Sequence, residues 1–325
     1  MNNSTAANTP STMTAIRVHA FGDTDAMSLE QVALPEIQDD EVLVKVMAAG
    51  VGPWDGWIRS GNSVLPQPLP LTLGSDIAGV VVAVGSKATQ WQVGEAVYGV
   101  TNKRFIGGYA EYAACSAGMI AHKPVSLSYV EAASVPVVAV TAAQMLFDAA
   151  DLHSGDTVLI HGAAGNVGRY AVQLAHAAGL KVVATSSDAD AAAVTALGAD
   201  RVIGRTLEPV TVVDAVIDLV GGPTQVQPFD FLKAGGKFIS AVAEPDQAVA
   251  QARGVSARFM LVDVNTQALT RLTREFDDGN LSAWVGPVLT LADARLAHEM
   301  MEGRADRIPG KIVLEVATAD SSDNT

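Results

Sequence analysis

The sequence predicts an α/β protein in which a mostly-β part is joined to a doubly wound parallel sheet. Two observations carry this prediction. In the first third of the chain, short apolar stretches alternate with Gly and Pro, which is typical of a mixed β barrel or sandwich. From Thr157 onward, short apolar strands alternate with alanine-rich helical stretches, as right-handed βαβ units on a parallel sheet require.

The elements of the first part follow from their apolar patterns. In "EVLVKVMAAGV" the apolar side chains of Val42, Val44 and Val46 recur with the period of two that a buried strand face produces. The other predicted strands of this part are "TAIRVHAFG", "SDIAGVVVAVG", "GEAVYGV" and "GYAEYAA", and "GKIVLEVA" near the end of the chain returns to the strand pattern.

The second part opens with a helix that a proline divides. The stretch "SYVEAASVPVVAVTAAQMLFDAA" is long and alanine-rich enough for a helix, and Pro136 should interrupt it because its ring blocks a helical hydrogen bond. Strand and helix then alternate. The predicted strands are "TVLIH", "KVVATSS", "RVIG", "AVIDLVG" and "KFISAVA", and the predicted helices are Val167–Ala178, "DAAAVTALG" and "VQPFDFLKAG".

Composition and charge exclude several classes of protein. The chain has 325 residues, of which 49% are hydrophobic and 17% charged, enough for a large core in two domains. Its net charge of −14 opposes polyanions, so nucleic acid is not an expected partner. A single cysteine, Cys115, leaves no internal disulfide and no four-cysteine zinc site, and we interpret it as a small buried residue.

No membrane or secretory segment is predicted. The chain lacks a stretch of about eighteen uncharged apolar residues, the length that a transmembrane helix needs. Its N-terminal residues lack a basic region followed by an apolar one, so a cytoplasmic protein is expected. Residues 1–12 and 318–325 are polar and are expected to be disordered tails.

A glycine motif lies between a predicted strand and a predicted helix. The stretch "HGAAGNVGRYAVQLA" has the spacing G-x-x-G-x-x-G, and its place after a strand and before a helix is the context of a dinucleotide-binding loop. We assign Gly162 to the tight turn, Gly165 to the close approach of backbone to a pyrophosphate, and Gly168 to the packing of helix against sheet.

The helix after this motif should bind the pyrophosphate at its N-terminus. The N–H groups of Asn166 and Val167 would face the anion, and the helix dipole favours a negative charge there. The helix is expected to bury one stripe, composed of Val167, Ala171, Leu174, Ala175 and Ala178, and to turn Arg169, Gln173 and His176 to the other face.

The end of the second strand indicates which dinucleotide binds. An NAD site commonly has an acidic residue there for the ribose 2′-hydroxyl, whereas this chain has the neutral Ser186 and Ser187. Arg205, just past the third strand, could pair with a 2′-phosphate, although Asp188 and Asp190 have the wrong sign for one. We therefore expect NADPH as the cofactor, with NADH as the alternative.

These motifs resemble the zinc-free medium-chain dehydrogenases/reductases of the quinone oxidoreductase (zeta-crystallin-like) group, over about Met13 to Ala317. The resemblance rests on "AAGVGPWDGWIRSG", "LTLGSDIAGVVVAVG", "VGEAVYGV", "GGYAEYAA", "VPVVAVTAAQML", "VLIHGAAGNVGRYAVQLA", "LGADRVI", "VIDLVGG", "LKAGGKFIS" and "GKIVL".

The resemblance implies a Rossmann domain over 131–279, set into a GroES-like catalytic domain that comprises 13–130 and 280–317. It further implies an active site in the cleft between the two domains and a homodimer formed through Rossmann sheet edges. By family position, Thr141 would meet the nicotinamide or phosphate end of the cofactor, and Val220 and Ala241 would pass close to the nicotinamide ribose.

The same resemblance implies that no metal takes part. Zinc alcohol dehydrogenases of this superfamily carry a catalytic cysteine where this chain has Gly52, and a Gly-His-Glu triplet where it reads Gly74-Ser75-Asp76. Without thiolate or imidazole ligands there is no Lewis acid to ionise an alcohol, which disfavours simple alcohol oxidation.

The substrate region departs from the pattern of the family. Relatives often read "GVNFIDTYIRSG", with an Asn and a Tyr in the substrate pocket, where this chain has Gly52 and Trp57. Gly52, Trp54 and Trp57 are therefore the candidates for the pocket, with Trp57 preferred as an aromatic wall for a flat substrate. The third strand ends in Gly204-Arg205, where relatives commonly have Asp-Tyr.

The sequence thus predicts an NADPH-dependent, zinc-independent reductase of quinones or α,β-unsaturated carbonyls. Hydride would pass to a small-molecule acceptor, and the proton would come from water or from a ribose hydroxyl, because no side chain stands out as the general acid. The alternatives are an enoyl-thioester reductase, which would need a basic surface for its phosphates, and an NADPH-binding regulatory or structural protein with little turnover.

Overall fold

The computed structural model describes residues 10–204 and 212–317 and divides into two compact units. Within these described residues, the first unit is drawn from Met1–Val137, Val264–Asp277 and Ala283–Thr325, and the second from Val138–Asp263 and Asp278–Ser282. Most of the second unit is therefore inserted into the sequence of the first.

Strands and helices follow one another along the described residues. The strands are β1 (Thr12–Val18), β2 (Met27–Ala33), β3 (Glu41–Gly50), β4 (Leu71–Thr72), β5 (Asp76–Val84), β6 (Ala96–Val100), β7 (Tyr112–Ser116), β8 (Ile120–His122), β9 (Thr157–His161), β10 (Lys181–Thr185), β11 (Arg201–Ile203), β12 (Val213–Asp218), β13 (Leu232–Ser240), β14 (Ser256–Phe259), β15 (Val285–Thr290) and β16 (Lys311–Glu315). The α-helices are α1 (Pro53–Arg59), α2 (Tyr129–Ala133), α3 (Pro136–Ala143), α4 (Asn166–Ala177), α5 (Asp188–Ala196), α6 (Gln247–Ala252), α7 (Thr266–Asp277) and α8 (Ala294–Met301).

The first unit contains two sheets. One has the order β2-β1-β4, and the other has the order β15-β16-β3-β5-β6-β8 with β7 paired to β3. All pairs are antiparallel except β15 with β16. The predicted period of two in β3 is visible in the burial of Val42, Val44 and Val46, which join one core with side chains from β1, β5, β6 and β16.

The second unit is a parallel sheet of six strands in the order β11-β10-β9-β12-β13-β14. Counted from β9, this is the doubly wound order 3-2-1-4-5-6, which reverses between β9 and β12. The central strands β9 and β12 are almost wholly buried, as strands covered on both faces are. The parallel sheet and the separate, mostly antiparallel unit confirm the predicted fold class.

Pro136 divides the first long helical stretch, as the sequence predicts. Helix α2 begins at a capping box made by Ser128 and Glu131, and it ends at Ala133. Helix α3 starts at Pro136, where the missing N–H is no loss because the first helical N–H groups have no intrahelical acceptor. Among the described residues, no helix combines the length and the apolarity that crossing a bilayer needs.

One predicted helix is wrong. The stretch "VQPFDFLKAG", Val226–Gly235, forms a short 3₁₀ turn over Gln227–Phe231 and then enters β13. Phe229 and Phe231 are both buried in this turn, and the Phe229 ring stacks on Phe238 with centroids 4.1 Å apart. The segment from Leu232 is held by pairing with β12, which overrides its weak helical pattern.

The outer face of α4 is also not as predicted, because Gln173 is buried. Its side-chain amide bonds to the backbone N–H and the hydroxyl of Ser282 at 2.8 and 2.9 Å, and to the carbonyl of Arg169 at 3.2 Å. Gln173 therefore ties the returning segment Asp278–Ser282 to the second unit, a long-range contact that helical periodicity does not reveal.

Gly168→Ala should lower thermal stability more than Gly165→Ala. A Cβ at Gly168 would lie 2.3 Å from the carbonyl oxygen of Gly162, which is backbone, and such overpacking costs about 1–3 kcal/mol. A Cβ at Gly165 would meet no atom closer than 3.5 Å, and this change at an N-cap should cost less than about 1 kcal/mol. Thermal unfolding followed by circular dichroism compares the two; equal melting temperatures would contradict this account of Gly168.

Candidate functional site

The glycine loop of the second unit connects β9 to α4. Gly162 has φ +93°, which only glycine adopts without strain, and a Cβ on it would lie 2.8 Å from the side chain of Val220. Gly168 lets α4 approach the loop. Gly165 differs from both, because it is exposed, has φ −75° and faces open space. The fold therefore requires glycine at two of the three positions, and Gly165 is left for another purpose.

Helix α4 presents an uncapped N-terminus beside Gly165. Gly165 is its N-cap residue, and no side chain in the described part of the chain caps the helix. The first N–H groups of a helix, here those of Asn166 and Val167, have no intrahelical acceptor and carry partial positive charge. The loop and the helix end together form a cradle of backbone N–H groups that fits a phosphate.

The carboxyl end of β10 carries hydroxyl groups and no acidic side chain. The Thr185 hydroxyl accepts the N–H of Gly162 at 2.9 Å, and the Ser186 hydroxyl donates to the carbonyl of Ser187 at 3.0 Å. The Ser187 hydroxyl donates to the carboxylate of Asp190 at 2.6 Å, so that one negative charge lies close to this strand end. Arg205, the predicted phosphate partner, lies outside the described residues.

The remaining predicted contacts of the second unit lie on three elements. Thr141 is buried in α3, Val220 is about half exposed after β12, and Ala241 is partly buried after β13. Sequence reasoning missed Asp218 and Ser240, the buried residues that end β12 and β13 and hold the turns containing Val220 and Ala241. The only sequence signal for them was a polar side chain at the end of an apolar strand.

The first unit holds a polar cluster around Gly52. The indole ring of Trp54 fills the space beside Gly52, since a Cβ on that glycine would lie 2.3 Å from the ring. The Trp54 indole N–H donates to the Ser75 hydroxyl at 3.1 Å, and the Lys311 ammonium lies 4.3 Å from the centre of the Trp54 ring. Trp57, by contrast, is 58% exposed.

Two buried carboxyl groups complete this cluster. Asp76 is fully buried, and its carboxylate accepts from the Lys311 ammonium at 2.9 Å and from the N–H of Val137 at 3.2 Å. Burial raises the pKa of Asp76, and the charge of Lys311 opposes the rise. A buried pair of this kind contributes orientation more than stability, because both ions have lost their hydration.

Asp55 is the second buried carboxyl. One oxygen accepts the N–H of Gly52 at 2.8 Å and the hydroxyl of Tyr109 at 2.9 Å, while the other has no partner among the described residues. Burial raises the pKa of Asp55 to about 7. The pKa of the Tyr109 hydroxyl is also raised by burial, so this hydroxyl stays protonated and remains the donor.

The donor set around Gly52 does not fit a zinc ion. Gly52 offers no side chain, the Ser75 hydroxyl is bonded to Trp54, and the Asp76 carboxylate is paired with the Lys311 ammonium. Zinc sites in proteins use thiolate, imidazole and free carboxylate ligands, and a neighbouring ammonium would repel the ion.

Asp55 should make stability fall as the pH rises. Its pKa is about 7 in the folded chain against an ordinary value of 3.8, so between these values the folded state holds a proton that the unfolded state has lost. Its contribution is therefore complete below about pH 4 and is lost as the pH rises through 7, by at most roughly 4 kcal/mol at 1.36 kcal/mol per pKa unit. Asp55→Asn, which cannot ionise, should lose less stability over this interval in urea unfolding.

The exposed Asp39 provides a control of opposite sign. Hydrogen bonds from Ser86 and Lys87 lower the pKa of Asp39, so its contribution is present at neutral pH and is lost as the pH falls. Asp39→Asn should therefore reduce the gain in stability as the pH rises. Parallel pH profiles for wild type and Asp55→Asn would contradict the assignment of a raised pKa to Asp55.

Two parts of the chain match known domain families. Residues 38–125 match the alcohol dehydrogenase GroES-like domain, and residues 197–314 match the family described as zinc-binding dehydrogenase. The first match covers strands β5 and β6 and the members of the polar cluster around Gly52 other than Lys311.

Curated relatives cover nearly the whole chain. The 2-methylene-furan-3-one reductase of Solanum lycopersicum is 32% identical over 96% of this chain and 81% of its own length. The quinone oxidoreductase of Sus scrofa is 32% identical over 88% and 93% of the two chains. The chloroplastic NADPH-dependent alkenal/one oxidoreductase of Arabidopsis thaliana is 30% identical over 95% and 81%.

Solved structures agree with these sequence matches. The quinone oxidoreductase of Coxiella burnetii has a TM-score of 0.84 and 33% identity, and the match covers 94% of this chain and 100% of that one. By sequence and by fold, this chain belongs to the medium-chain dehydrogenase/reductase family, in its quinone oxidoreductase group, and it is an oxidoreductase.

Proposed function

We propose that the protein is an NADPH-dependent, zinc-independent reductase of quinones or α,β-unsaturated carbonyl compounds. The observation that carries the proposal is Gly165, an exposed glycine for which the fold has no need, at the uncapped N-terminus of α4. Relatives named for quinones, for an alkenal/one and for a methylene-furanone support the substrate class.

The residues of the second unit would hold the dinucleotide. The N–H groups of Asn166 and Val167 would bind its pyrophosphate, and Gly165 would allow the backbone to approach it. Thr141 is proposed to meet the nicotinamide or phosphate end of the cofactor, and Val220 and Ala241 to pass close to the nicotinamide ribose. When bound, the nicotinamide supplies the hydride, and the protein contributes binding and orientation.

The first unit would supply the surroundings of the substrate without a metal. Because the residues around Gly52 do not fit zinc, the proposed reaction involves no metal ion. Gly52, Trp54 and Trp57 are the proposed pocket residues, with Trp57 as an exposed aromatic surface for a flat acceptor. Quinones and enones need little electrophilic help, and water would supply the proton that completes the two-electron reduction.

The choice of NADPH rests on the end of β10. Ser186 and Ser187 leave no acidic side chain at the strand end itself, and the relative from Arabidopsis thaliana is named as NADPH-dependent. The carboxylate of Asp190, bonded to Ser187, opposes a 2′-phosphate, so Arg205 has to outweigh it. A cytoplasmic location and a homodimer stay predictions of the sequence.

Gly165→Val should abolish dinucleotide binding and leave the fold intact. The branched side chain would occupy the place of the pyrophosphate, yet among the described residues no atom lies closer than 3.5 Å to a Cβ at Gly165. We expect the dissociation constant of NADPH, measured by calorimetry, to rise at least about 100-fold, and NADPH oxidation by a panel of quinones and enones to fall with it. Gly118→Val, at an exposed glycine of the first unit that also faces open space, should change neither.

The wild-type enzyme tests the rival functions when enoyl thioesters are added to the same panel. Turnover with quinones or enones that survives a metal chelator is the expected result. Turnover confined to enoyl thioesters would instead identify a thioester reductase, and tight NADPH binding without turnover on any acceptor would identify a binding protein. Unchanged NADPH affinity in folded Gly165→Val would show that the loop is only a turn.

Arg205→Ala should weaken NADPH much more than NADH. A charge-assisted hydrogen bond to a phosphate contributes about 1.5–3 kcal/mol, or roughly a 10- to 100-fold change in affinity. Added salt should weaken NADPH binding selectively, because salt screens the attraction between an arginine and a phosphate. The measurement is the pair of dissociation constants for wild type and variant at two salt concentrations. Equal loss of both dinucleotides would remove Arg205 from the site.

A further inference from the structure

Four buried polar side chains form a row across the parallel sheet. Thr185, His161, Asp218 and Ser240 stand at the carboxyl ends of β10, β9, β12 and β13, which are adjacent strands. They are 3, 5, 0 and 0% exposed. Asp218 is the register partner of both His161 and Ser240, so these side chains point to the same face of the sheet. We refer to Thr185, His161, Asp218 and Ser240 as the polar row.

Asp218 is the most highly coordinated member of the polar row. One carboxylate oxygen accepts from the Ser240 hydroxyl at 2.9 Å and from the side-chain amide of Gln225 at 3.0 Å. The other accepts the backbone N–H groups of Val220 and Gly221 at 3.1 and 3.0 Å. Four donors compensate this fully buried carboxylate for the hydration it has lost. Without them, burial of the carboxylate would be strongly destabilising.

Each of three members of the polar row also holds a turn that leaves the sheet. Thr185 accepts the N–H of Gly162 in the glycine loop. Asp218 holds the turn after β12, which contains Val220. Ser240 accepts the N–H groups of Val242 and Ala243, both at 3.3 Å, in the turn that follows β13.

The turn after β12 packs against both of the other turns. The Val220 side chain lies so close to Gly162 that a Cβ on this glycine would be 2.8 Å from it. Likewise, a Cβ on Gly221 would lie 2.9 Å from the Val242 side chain. A shift of the turn after β12 would therefore move the other two, and Asp218 is the residue that fixes this middle turn.

We propose that Asp218, through the polar row, is a positioning residue for the nicotinamide half of the dinucleotide. The proposal rests on the proposed function, since it assumes that a dinucleotide binds at these turns. Ligands of open parallel sheets bind outside the carboxyl ends of the strands, next to the point where the strand order reverses. Asp218 stands on β12, one of the two strands that flank this reversal.

The position requires a carboxylate and not merely a polar group. An amide at this position would keep one accepting oxygen and turn an NH₂ group toward two of the four donors, so Asp218→Asn would set donor against donor. Ser240→Ala removes one bond to Asp218 and both bonds to the turn after β13, with a smaller change in a buried site. It is therefore the milder of the two variants.

The test compares two ligands that share the adenosine half. NADPH contains both halves, and adenosine 2′,5′-bisphosphate contains only the adenosine half with its 2′-phosphate. In Ser240→Ala we expect the dissociation constant of NADPH, measured by calorimetry, to rise about 10-fold, and that of adenosine 2′,5′-bisphosphate to change less than twofold. In Asp218→Asn, if it folds, the loss of NADPH affinity should be larger with the same selectivity.

Ser134→Ala is the matched control. Ser134 is also fully buried and donates a hydrogen bond to a backbone carbonyl, that of Glu131 at 2.6 Å, but it lies in the first unit outside the polar row. This variant should lose comparable thermal stability and bind both ligands as the wild type does.

Two results would overturn the proposal. One is an unchanged NADPH affinity in Ser240→Ala, and the other is an equal loss for NADPH and adenosine 2′,5′-bisphosphate, which general loosening of the unit would produce. A wild-type protein that binds neither NADPH nor NADH would instead refute the proposed function itself. The two failures are thus distinguishable.

Discussion

The second unit depends on one close contact, between α4 and the glycine loop that precedes it. The carbonyl oxygen of Gly162 lies so near Gly168 that a Cβ there would be 2.3 Å from it, so only the hydrogen of glycine fits. This contact sets the helix against the end of β9. The uncapped N-terminus of α4 then projects beside the carboxyl ends of the strands. Because the Val220 turn also packs on Gly162, the same contact fixes the distance between the phosphate cradle and the turn after β12.

The first unit depends on a different constraint, the burial of charge. The Lys311 ammonium joins β16 to β5 through its bond to Asp76. The surroundings are tightly packed, since a Cβ on Gly50 would lie 2.3 Å from the carbonyl oxygen of Ala133 and 3.1 Å from the Lys311 side chain. Trp54 covers the ammonium. A cation, an indole ring and two carboxyl groups thus fill the region around Gly52. This packing, in which the described residues form no group that could hold a metal ion, is the physical basis of the proposed metal-free chemistry.

Both units use buried carboxylates to hold backbone, but they satisfy them differently. Asp218 accepts four hydrogen bonds from its own unit, whereas Asp55 has one oxygen bonded twice and one without a partner among the described residues. Burial raises the pKa of Asp55 to about 7, although its bonds to Gly52 and Tyr109 oppose the rise. Asp218, which holds the turn after β12, is thus fully hydrogen-bonded, while Asp55, beside Gly52, has a pKa near neutral.

Local patterns in the sequence were enough to predict the alternation of strand and helix, the break at Pro136 and the three roles of the glycines as hypotheses, because these depend on neighbouring residues. Long-range pairing decided the rest. Leu232 joins β12 although its segment reads as helix, Gln173 is buried because Ser282 returns to it, and Lys311 meets Asp76 across 235 positions. The polar row was likewise invisible, since each member is one polar residue at the end of an apolar strand until the parallel register places all four side by side.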